Sequence, residues 1–338
     1  MEGTVRPGCP KRMVFGPCGG VRDDERCEVA EHRCVFLDGP LPEWPGDARP
    51  EPPATTSVLL AAAAQGPVVL ADLSVVPFDR GSVRRVVAEL APVADGLLAG
   101  EHAGRPDFPP ALLAAEVRAA GGTPWTTLAC RDRNRVVLEQ ELAGLAAVGV
   151  DGVLCVTGDA RGPGVRAGAS QVFDLDGTRL AALAADTGLT VAVPESPEAP
   201  PTELRPARVA GKQRAGAQLC VLNHGRSPAR VAAFVAASRA AGATLPFVAG
   251  VAVYTDERSA RVLQRFPGLH LDDVVVERVL AAPDPRAAGI AAAVAEARAL
   301  LAVPGVVGVN LSGMGSAAGE DDGARVKAAV AHELRGTA

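Results

Sequence analysis

Eight short apolar runs recur along the chain from residue 68 onward, and longer segments with helical periodicity separate them. The runs are continuous rather than alternating in polarity, which is typical of strands buried on both faces of a parallel sheet. Eight strand–helix units within about 280 residues predict an α/β fold that closes as a (β/α)8, or TIM, barrel. The predicted strands are Val68–Val76, Gly96–His102, Trp125–Arg131, Gly152–Asp159, Thr190–Glu195, Ala217–Asn223, Phe247–Tyr254 and Val306–Ser312. The clearest predicted helices are Arg135–Val148, Thr178–Ala185, Arg230–Ala241 and Arg286–Ala302.

A doubly wound sheet is the alternative arrangement of the same units. Its dinucleotide-binding form needs a Gly-x-Gly-x-x-Gly turn after the first strand, and the sequence that follows Val76 does not contain one. This favours the barrel over the doubly wound sheet.

The first 40 residues depart from this pattern, because they carry four cysteines in a segment rich in glycine and proline: Cys9, Cys18, Cys27 and Cys34. So short a segment buries too little apolar surface to fold alone, and clustered thiolates suit a tetrahedral metal site. We therefore predict a metal-binding module at residues 1–40 that holds zinc or an iron–sulfur cluster. Dense prolines predict an extended linker at 41–56, which leaves residues 57–338 for the barrel.

Composition narrows the classes of function. The 338-residue chain has a formal net charge of −5 and is only 3% aromatic, so we expect no nucleic-acid partner. We expect no membrane span or signal peptide either, and hence a cytoplasmic protein. In a reducing compartment the clustered cysteines are metal ligands rather than disulfides. Three further cysteines lie in apolar runs and are expected in the core: Cys130, Cys155 and Cys220.

Polar residues at the ends of the predicted strands are candidates for an active site, since a barrel of this kind builds its site there. Asp72 lies among apolar residues, so its pKa should be raised as in a general acid; otherwise it is a structural carboxyl bonded to a neighbouring loop. Asp159 follows a glycine and could stabilise a developing cation, or it caps a helix. Asn223 could bind the edge of a heterocycle, or it forms a turn.

Other polar residues near these strand ends are expected to be structural. Arg131 and Asp132 should pair with each other at the rim, and His102 and His224 should be rim residues rather than catalysts. The sequence shows no Ser–His–Asp arrangement, no His-rich metal set and no phosphate-binding loop.

The cysteine segment resembles a module found with methylenetetrahydrofolate reductases, usually as their C-terminal extension or a partner subunit. Here the module is N-terminal, and the resemblance rests on Cys9-Pro-Lys-Arg-Met, Gly-Pro-Cys18-Gly-Gly-Val, Cys27-Glu-Val and Cys34-Val-Phe. The barrel also looks like that of the reductases, through four strings in the family's order. These are Thr127-Leu-Ala-Cys-Arg-Asp-Arg-Asn, Gly149-Val-Asp-Gly-Val-Leu-Cys-Val-Thr-Gly-Asp159, Val172-Phe-Asp-Leu-Asp176 and Lys212-Gln-Arg-Ala-Gly-Ala217.

The resemblance implies a (β/α)8 enzyme that reduces 5,10-methylenetetrahydrofolate to the 5-methyl form with FAD and NADH or NADPH. It gives Asp72 the role of the family's acid, and Asp159 that of the carboxylate beside the iminium cation. Asn223 would replace the glutamine that contacts the pterin. The implied flavin-site residues are Thr127, Asp132, Thr157, Gly158 and Lys212.

Three departures from the family pattern fall in that flavin site. Thr127 stands where the family has histidine, Thr157 where it has arginine, and Val193 where it has tyrosine. Hydride would therefore reach the folate either through FAD or directly from the nicotinamide.

The expected ligand is thus a tetrahydrofolate derivative, with a redox protein as a candidate partner. Two other functions stay open: a pterin- or corrinoid-linked methyl-transfer component, and a non-catalytic subunit that docks to a reductase through its metal module.

Overall fold

The computed structural model of the chain describes residues 3–45, 57–162 and 164–336. Eight parallel strands are paired in sequence order and close into a barrel, since the first strand pairs with both the second and the eighth. The strands are β1 (Val68–Leu73), β2 (Gly96–Ala99), β3 (Pro124–Ala129), β4 (Gly152–Val156), β5 (Val191–Glu195), β6 (Leu219–Leu222), β7 (Phe247–Tyr254) and β8 (Val306–Gly315). The predicted barrel is confirmed, and the doubly wound alternative is wrong.

Helices follow the strands and pack around the barrel. They are α1 (Val58–Ala63), α2 (Arg80–Leu90), α3 (Pro110–Ala119), α4 (Arg135–Val148), α5 (Gly177–Ala185), α6 (Arg205–Arg214), α7 (Pro228–Ala240), α8 (Glu257–Gln264), α9 (Asp273–Leu280), α10 (Pro285–Leu301) and α11 (Glu320–Arg335). The short helices α8 and α9 are an addition between β7 and α10 that the sequence analysis did not predict. No helix in the described ranges is both long and apolar enough to cross a membrane.

Alternate residues of each strand face opposite sides of the barrel wall. One set fills the barrel interior and includes Val68, Leu70, Leu98, Trp125, Leu154, Ala192, Leu219, Val221 and Val248. The other set packs between the wall and the helices, and it contains Cys130, Cys155 and Cys220, which are fully buried. Their predicted place in the core is confirmed.

The N-terminal end of the barrel is closed by Trp125, whose ring lies in the interior against Gly96 of β2 and Gly152 of β4. Its Nε1 donates to Asp151 Oδ2 at 2.7 Å. The same carboxylate accepts from Ser57 Oγ at 2.9 Å and from the backbone N of Leu59 at 3.1 Å, which holds α1 across this end. Trp125 and α1 thus cover this end of the barrel, and we call the opposite end, where the strands end, the mouth.

The cysteine segment, residues 3–45, lies against the mouth at the ends of β4 to β6. The rings of Phe15 and Trp44 are in contact, with centroids 4.9 Å apart and planes tilted by 53°, and they pack on Ala182 of α5 and Ala215 after α6. The predicted linker lies mostly outside the described residues, because 46–56 is not among them. The predicted boundaries at 40 and 56 stay predictions.

A buried carboxylate, Asp176, joins the cysteine segment to the barrel. Its Oδ2 accepts from the backbone N of Val14 at 2.8 Å and of Phe15 at 3.3 Å. Its Oδ1 accepts from the backbone N of Arg179 at 3.0 Å and so caps α5. One side chain therefore satisfies amide donors of both parts of the chain, which would otherwise be buried without partners.

A second buried contact is built around Glu195, at the end of β5. Its carboxylate binds Arg205, Arg208 and Lys212, each at 2.9 Å, and all three cations lie on one face of α6. Burial alone would raise the pKa of Glu195, but the three cations lower it well below its ordinary value. Arg205 Nη2 also donates to the backbone O of Cys18 at 2.9 Å, so this cluster binds the cysteine segment to the barrel.

We expect Gly152→Ala to destabilise the barrel, because a Cβ at this position would overlap the six-membered ring of Trp125. Overpacking of this kind costs about 1–3 kcal/mol of the free energy of unfolding, measured by urea denaturation. Gly66→Ala is the matched control, since a Cβ there meets nothing within 4 Å. Equal stability of the two variants would contradict the closure of the barrel by Trp125.

We expect Glu195→Gln to cost about 3–5 kcal/mol of the free energy of unfolding at pH 7, because it leaves three buried cations without their carboxylate. Since the folded pKa of Glu195 is depressed, its contribution is present above the ordinary glutamate pKa. It is lost as the pH falls through the folded pKa, so the difference between wild type and variant should shrink in acid.

The matched control for Glu195 is Glu139→Gln, which breaks an exposed pair with Arg135 at 2.8 Å. That change should cost less than about 1 kcal/mol by urea denaturation at the same pH. A cost at Glu195 no larger than at Glu139 would contradict the proposed contribution of the buried cluster.

Candidate functional site

Asp72 lies inside the mouth, in β1. Its carboxylate accepts from Asn310 Nδ2 at 2.9 Å and from the backbone N of Gly313 at 3.4 Å. Lys327 Nζ donates to the backbone O of Asp72 at 2.7 Å. Burial raises the pKa of Asp72, against an opposing effect of Lys327. A carboxyl that keeps its proton suits a general acid, while the contacts with β8 also suit a structural role.

Asp159 lies in the loop after β4 and follows Gly158 in the sequence. The φ of Gly158 is +89°, in the left-handed region. Among the described residues, no hydrogen bond to the Asp159 carboxylate is found. Burial raises the pKa of this carboxyl, and the nearby ammonium of Lys11 opposes the shift. The alternative that Asp159 caps a helix is wrong, because Asp176 caps α5. The carboxylate is therefore free to meet a ligand.

Asn223 follows β6 and lies beneath the cysteine segment. Its Nδ2 donates to Ser196 Oγ at 2.8 Å, and its backbone N donates to the carbonyl of Glu195 at 2.9 Å. A Cβ at Gly19 would lie 4.0 Å from that Nδ2. Across the parts of the chain that the structure describes, no contact links Asp72, Asp159 and Asn223. They share the mouth, and their joint use by one ligand stays a prediction.

The expected pair between Arg131 and Asp132 is present, with Arg131 Nε at 3.0 Å from Asp132 Oδ2. Arg131 is buried rather than at the rim, and its Nη2 donates to the backbone O of His102 at 3.4 Å. His224 is also not a rim residue. It is 2% exposed, and its Nε2 lies 2.6 Å from Ser312 Oγ, because the loop after β6 folds back into the wall. Burial lowers the pKa of His224 to about 4, which keeps the ring neutral.

An open cavity of about 480 Å³ lies beside the mouth, between the loops that follow β2, β3 and β4. Arg161 lines it and pairs with Asp132 at 2.7 Å. His102 is also in its lining, and burial lowers the pKa of this histidine. The other lining residues are Ala103, Pro106, Arg166, Gly168, Ala169 and Ser170. None of the lining residues belongs to the cysteine segment.

Two residues predicted to contact FAD are engaged by the cysteine segment. Thr157 Oγ1 donates to Met13 Sδ at 3.4 Å and accepts from the backbone N of Gly177 at 2.9 Å. The backbone O of Gly158 accepts from Lys11 Nζ at 2.9 Å. The segment therefore lies where the loop after β4 would otherwise face a flavin.

Lys212, which is also predicted to bind FAD, is not available for that role. Its buried ammonium binds Glu195 at 2.9 Å and the carbonyl of Pro194, so it is not free for a phosphate. Thr127 is buried in β3, and Asp132 is paired with two arginines. Taken together, the residues predicted to hold FAD do not fit the group.

The four clustered cysteines line one small cavity of about 10 Å³. Burial raises the pKa of the Cys18 thiol to about 12, against the effect of Lys11, and it also raises the pKa of Cys9 and Cys34. Within residues 3–45, 57–162 and 164–336, no three side chains of His, Cys, Asp or Glu form a group that could hold a metal ion. The structure thus shows an N-terminal cysteine segment, and metal binding by it stays a prediction.

The sequence analysis missed the residues that attach the cysteine segment to the site. Lys11 and Glu28 pair at 2.5 Å and contact the loop of Asp159. Both residues stand in the strings on which the family resemblance rests, but the sequence does not reveal their contacts with this loop, which lies more than 130 residues away. The cations of α6 did have a signal: residues 205, 208 and 212 are spaced so that they share one helix face.

Comparison with known proteins finds similarity in the cysteine segment and in the barrel fold. Residues 4–38 match the protein family described as methylene-tetrahydrofolate reductase C terminal. None of the curated proteins matches the chain. An uncharacterized protein from Clostridium thermocellum, which binds two copies of 5-methyl-5,6,7,8-tetrahydrofolic acid, shares the fold with a TM-score of 0.65. It is 10% identical, and the match covers 83% of this chain and 100% of that one.

Two lyase-type barrels are more distant. A putative lyase/mutase from Burkholderia cenocepacia J2315 is 18% identical over 82% of this chain and 86% of its own, with a TM-score of 0.45. A 2,3-dimethylmalate lyase is 11% identical over 76% of this chain and 80% of its own, with a TM-score of 0.46. At these scores neither says anything about function. The comparisons thus show that residues 4–38 match the family described as methylene-tetrahydrofolate reductase C terminal, and that the rest of the chain shares an eight-stranded barrel fold.

Proposed function

We propose that this chain binds a tetrahydrofolate derivative in the mouth of the barrel and reduces its one-carbon unit from 5,10-methylene to 5-methyl. The observation that carries the proposal is the position of the cysteine segment. A segment that matches a reductase-associated family contacts the same loop that bears the free carboxylate of Asp159. The fold neighbour that binds 5-methyltetrahydrofolic acid supports the ligand class, although at 10% identity it shows only the fold.

Asp72 supplies the proton in this proposal. Opening the five-membered ring of the substrate breaks the bond between the methylene carbon and N10, and N10 must gain a proton as it leaves. Burial raises the pKa of Asp72, which favours its protonated form, and Asn310 and Gly313 fix the carboxyl inside the barrel. A positioned acid of this kind contributes about 10²–10⁴-fold to the rate.

Asp159 stabilises the cation that ring opening creates. The methylene carbon and N5 then carry an iminium charge, and the carboxylate of Asp159, which accepts no hydrogen bond from the described residues, can lie against it. A reduced nicotinamide, NADH or NADPH, binds as a co-substrate and transfers hydride to the methylene carbon, giving the 5-methyl product and the oxidised nicotinamide. Asn223 orients the pterin in this scheme. No step passes through FAD, because the residues present do not fit it.

We also propose that Cys9, Cys18, Cys27 and Cys34 hold a metal group. Their donor set suits one, and the positive charge of Arg205, which donates to the backbone O of Cys18, favours an anionic metal–thiolate centre. A single zinc needs four thiolates about 2.3 Å from one point. An iron–sulfur cluster accepts wider spacing, since each thiolate binds a different iron, so the two groups place different demands on the four thiols. Zinc would cross-link the segment, whereas a cluster would store one electron.

A second candidate is a folate-binding component that transfers or delivers a methyl group without hydride chemistry, or a non-catalytic reductase subunit with a redox partner. The ligand of the Clostridium protein favours it, because 5-methyltetrahydrofolic acid is a methyl carrier. Tight binding of that folate by the purified chain, without any folate-dependent oxidation of NADH or NADPH, would select this candidate over the reductase.

We expect Asp159→Asn to lower the turnover of 5,10-methylenetetrahydrofolate by about 100-fold or more, because the cation loses its counter-charge. The measurement is oxidation of NADH or NADPH at 340 nm with and without the folate. Asp186→Asn is the control, since Asp186 lies at the far end of α5 and should leave turnover within about twofold. Reduction at the wild-type rate by Asp159→Asn would refute the assigned role.

We expect Cys27→Ser to release the metal group from the purified full chain, because each thiolate contributes to its affinity. Elemental analysis for zinc and iron gives the metal content, and the visible spectrum separates a colourless zinc site from a brown cluster. Cys155→Ala, which removes a core thiol outside the segment, is the control and should retain metal. Unchanged metal content in Cys27→Ser would reject Cys27 as a ligand.

A further inference from the structure

Lys11 and Glu28 form a buried pair between the cysteine segment and the barrel. Lys11 Nζ lies 2.5 Å from Glu28 Oε2, with side chains 3% and 7% exposed. The two residues are 17 positions apart in the sequence, and each makes one further contact with the loop after β4. A buried ion pair is a costly arrangement unless its remaining hydrogen-bonding groups are also satisfied.

The backbone of three consecutive residues in this loop, Gly158, Asp159 and Ala160, is held by hydrogen bonds with Lys11, Arg131 and Glu28. Lys11 Nζ donates to the backbone O of Gly158 at 2.9 Å, and the backbone N of Ala160 donates to Glu28 Oε1 at 3.0 Å. Between them, the backbone O of Asp159 accepts from Arg131 Nη1 at 3.1 Å. The loop is thus held at three successive residues, and two of the three contacts come from the cysteine segment.

The same contacts leave the side chain of Asp159 untouched. In the described part of the chain its carboxylate accepts no hydrogen bond, although charged groups surround it. Burial raises the pKa of that carboxyl, Lys11 opposes the shift, and Glu28 adds to it. The contacts hold the backbone of the loop and leave the carboxylate of Asp159 accessible. A site that presents a charged group to a ligand requires this combination.

We propose that Lys11 and Glu28 are positioning residues for Asp159, so that the cysteine segment forms one wall of the substrate site. The inference rests on the proposed function, since it assigns the segment a part in that reaction. The segment would then serve the barrel of its own chain, in addition to any metal group or partner it binds. Cys18 Sγ also lies 3.4 Å from Glu28 Oε2, so one carboxylate joins a clustered thiol to the loop.

The test uses the full chain with Glu28→Ala, Glu28→Gln and Lys11→Met. Glu28→Ala removes the acceptor for the Ala160 amide, so hydrogen exchange of the peptide that contains residue 160 should become at least 10-fold faster. Its kcat should fall at least 10-fold, with a smaller change in KM for the folate. Glu28→Gln keeps an acceptor oxygen and should recover part of both effects. Lys11→Met should lower kcat in the same way.

Two controls separate positioning from a general loss of structure. Arg26→Gln breaks an exposed pair with Asp24 in the same segment and should change neither exchange at residue 160 nor kcat. In an Asp159→Asn background, Glu28→Ala should lower kcat by less than twofold, because the group it positions is already gone. Metal content is measured for every variant, so that loss of the metal group is not mistaken for loss of positioning.

An unchanged kcat in Glu28→Ala and Lys11→Met, or an equal loss of kcat with and without Asp159, would overturn the inference. Failure of the proposed function is recognised separately, because wild type would then show no folate-dependent oxidation of the nicotinamide. In that case hydrogen exchange at residue 160 alone tests whether Glu28 holds the loop. Unchanged exchange in Glu28→Ala overturns this, and faster exchange supports it.

Discussion

The contact between the N-terminal segment and the barrel depends on charges that are buried together. Glu195 lies beneath three cations of α6, and one of those cations, Arg205, reaches the backbone of Cys18. Asp176 binds two amides of the segment while it caps α5. Each carboxylate is costly to bury unless all its partners are present, so segment and barrel are expected to be ordered together rather than separately.

Local patterns in the sequence were enough to predict the barrel. Its strands are continuous apolar runs because both faces of a barrel strand are buried, and helix α4 begins and ends where Asn134 and Gly149 supply its caps. Three of the seven cysteines were placed correctly in the core for the same reason. These are all consequences of neighbours within a few residues, which periodicity and composition can record.

The site was predicted less completely, because its partners are distant in the sequence. Asp72 and Asp159 were found from their places at strand ends, whereas Lys11 and Glu28 have partners that only the folded chain brings near. His224 was expected at the rim, and the loop after β6 buries it against Ser312 instead. The expected flavin contacts were taken from a resemblance, which could not show that the chain's own N-terminus lies against those residues.

The one-sided covering of the mouth has a kinetic consequence under the proposed reaction. The segment covers the ends of β4 to β6 and Trp125 covers the far end, while the open cavity beside Arg161 offers both reactants a route to the interior. If both reactants use this route, the first to bind lies deeper and the second covers it. A shared route of that kind favours ordered binding, in which the reactant that binds last gives the product that leaves first.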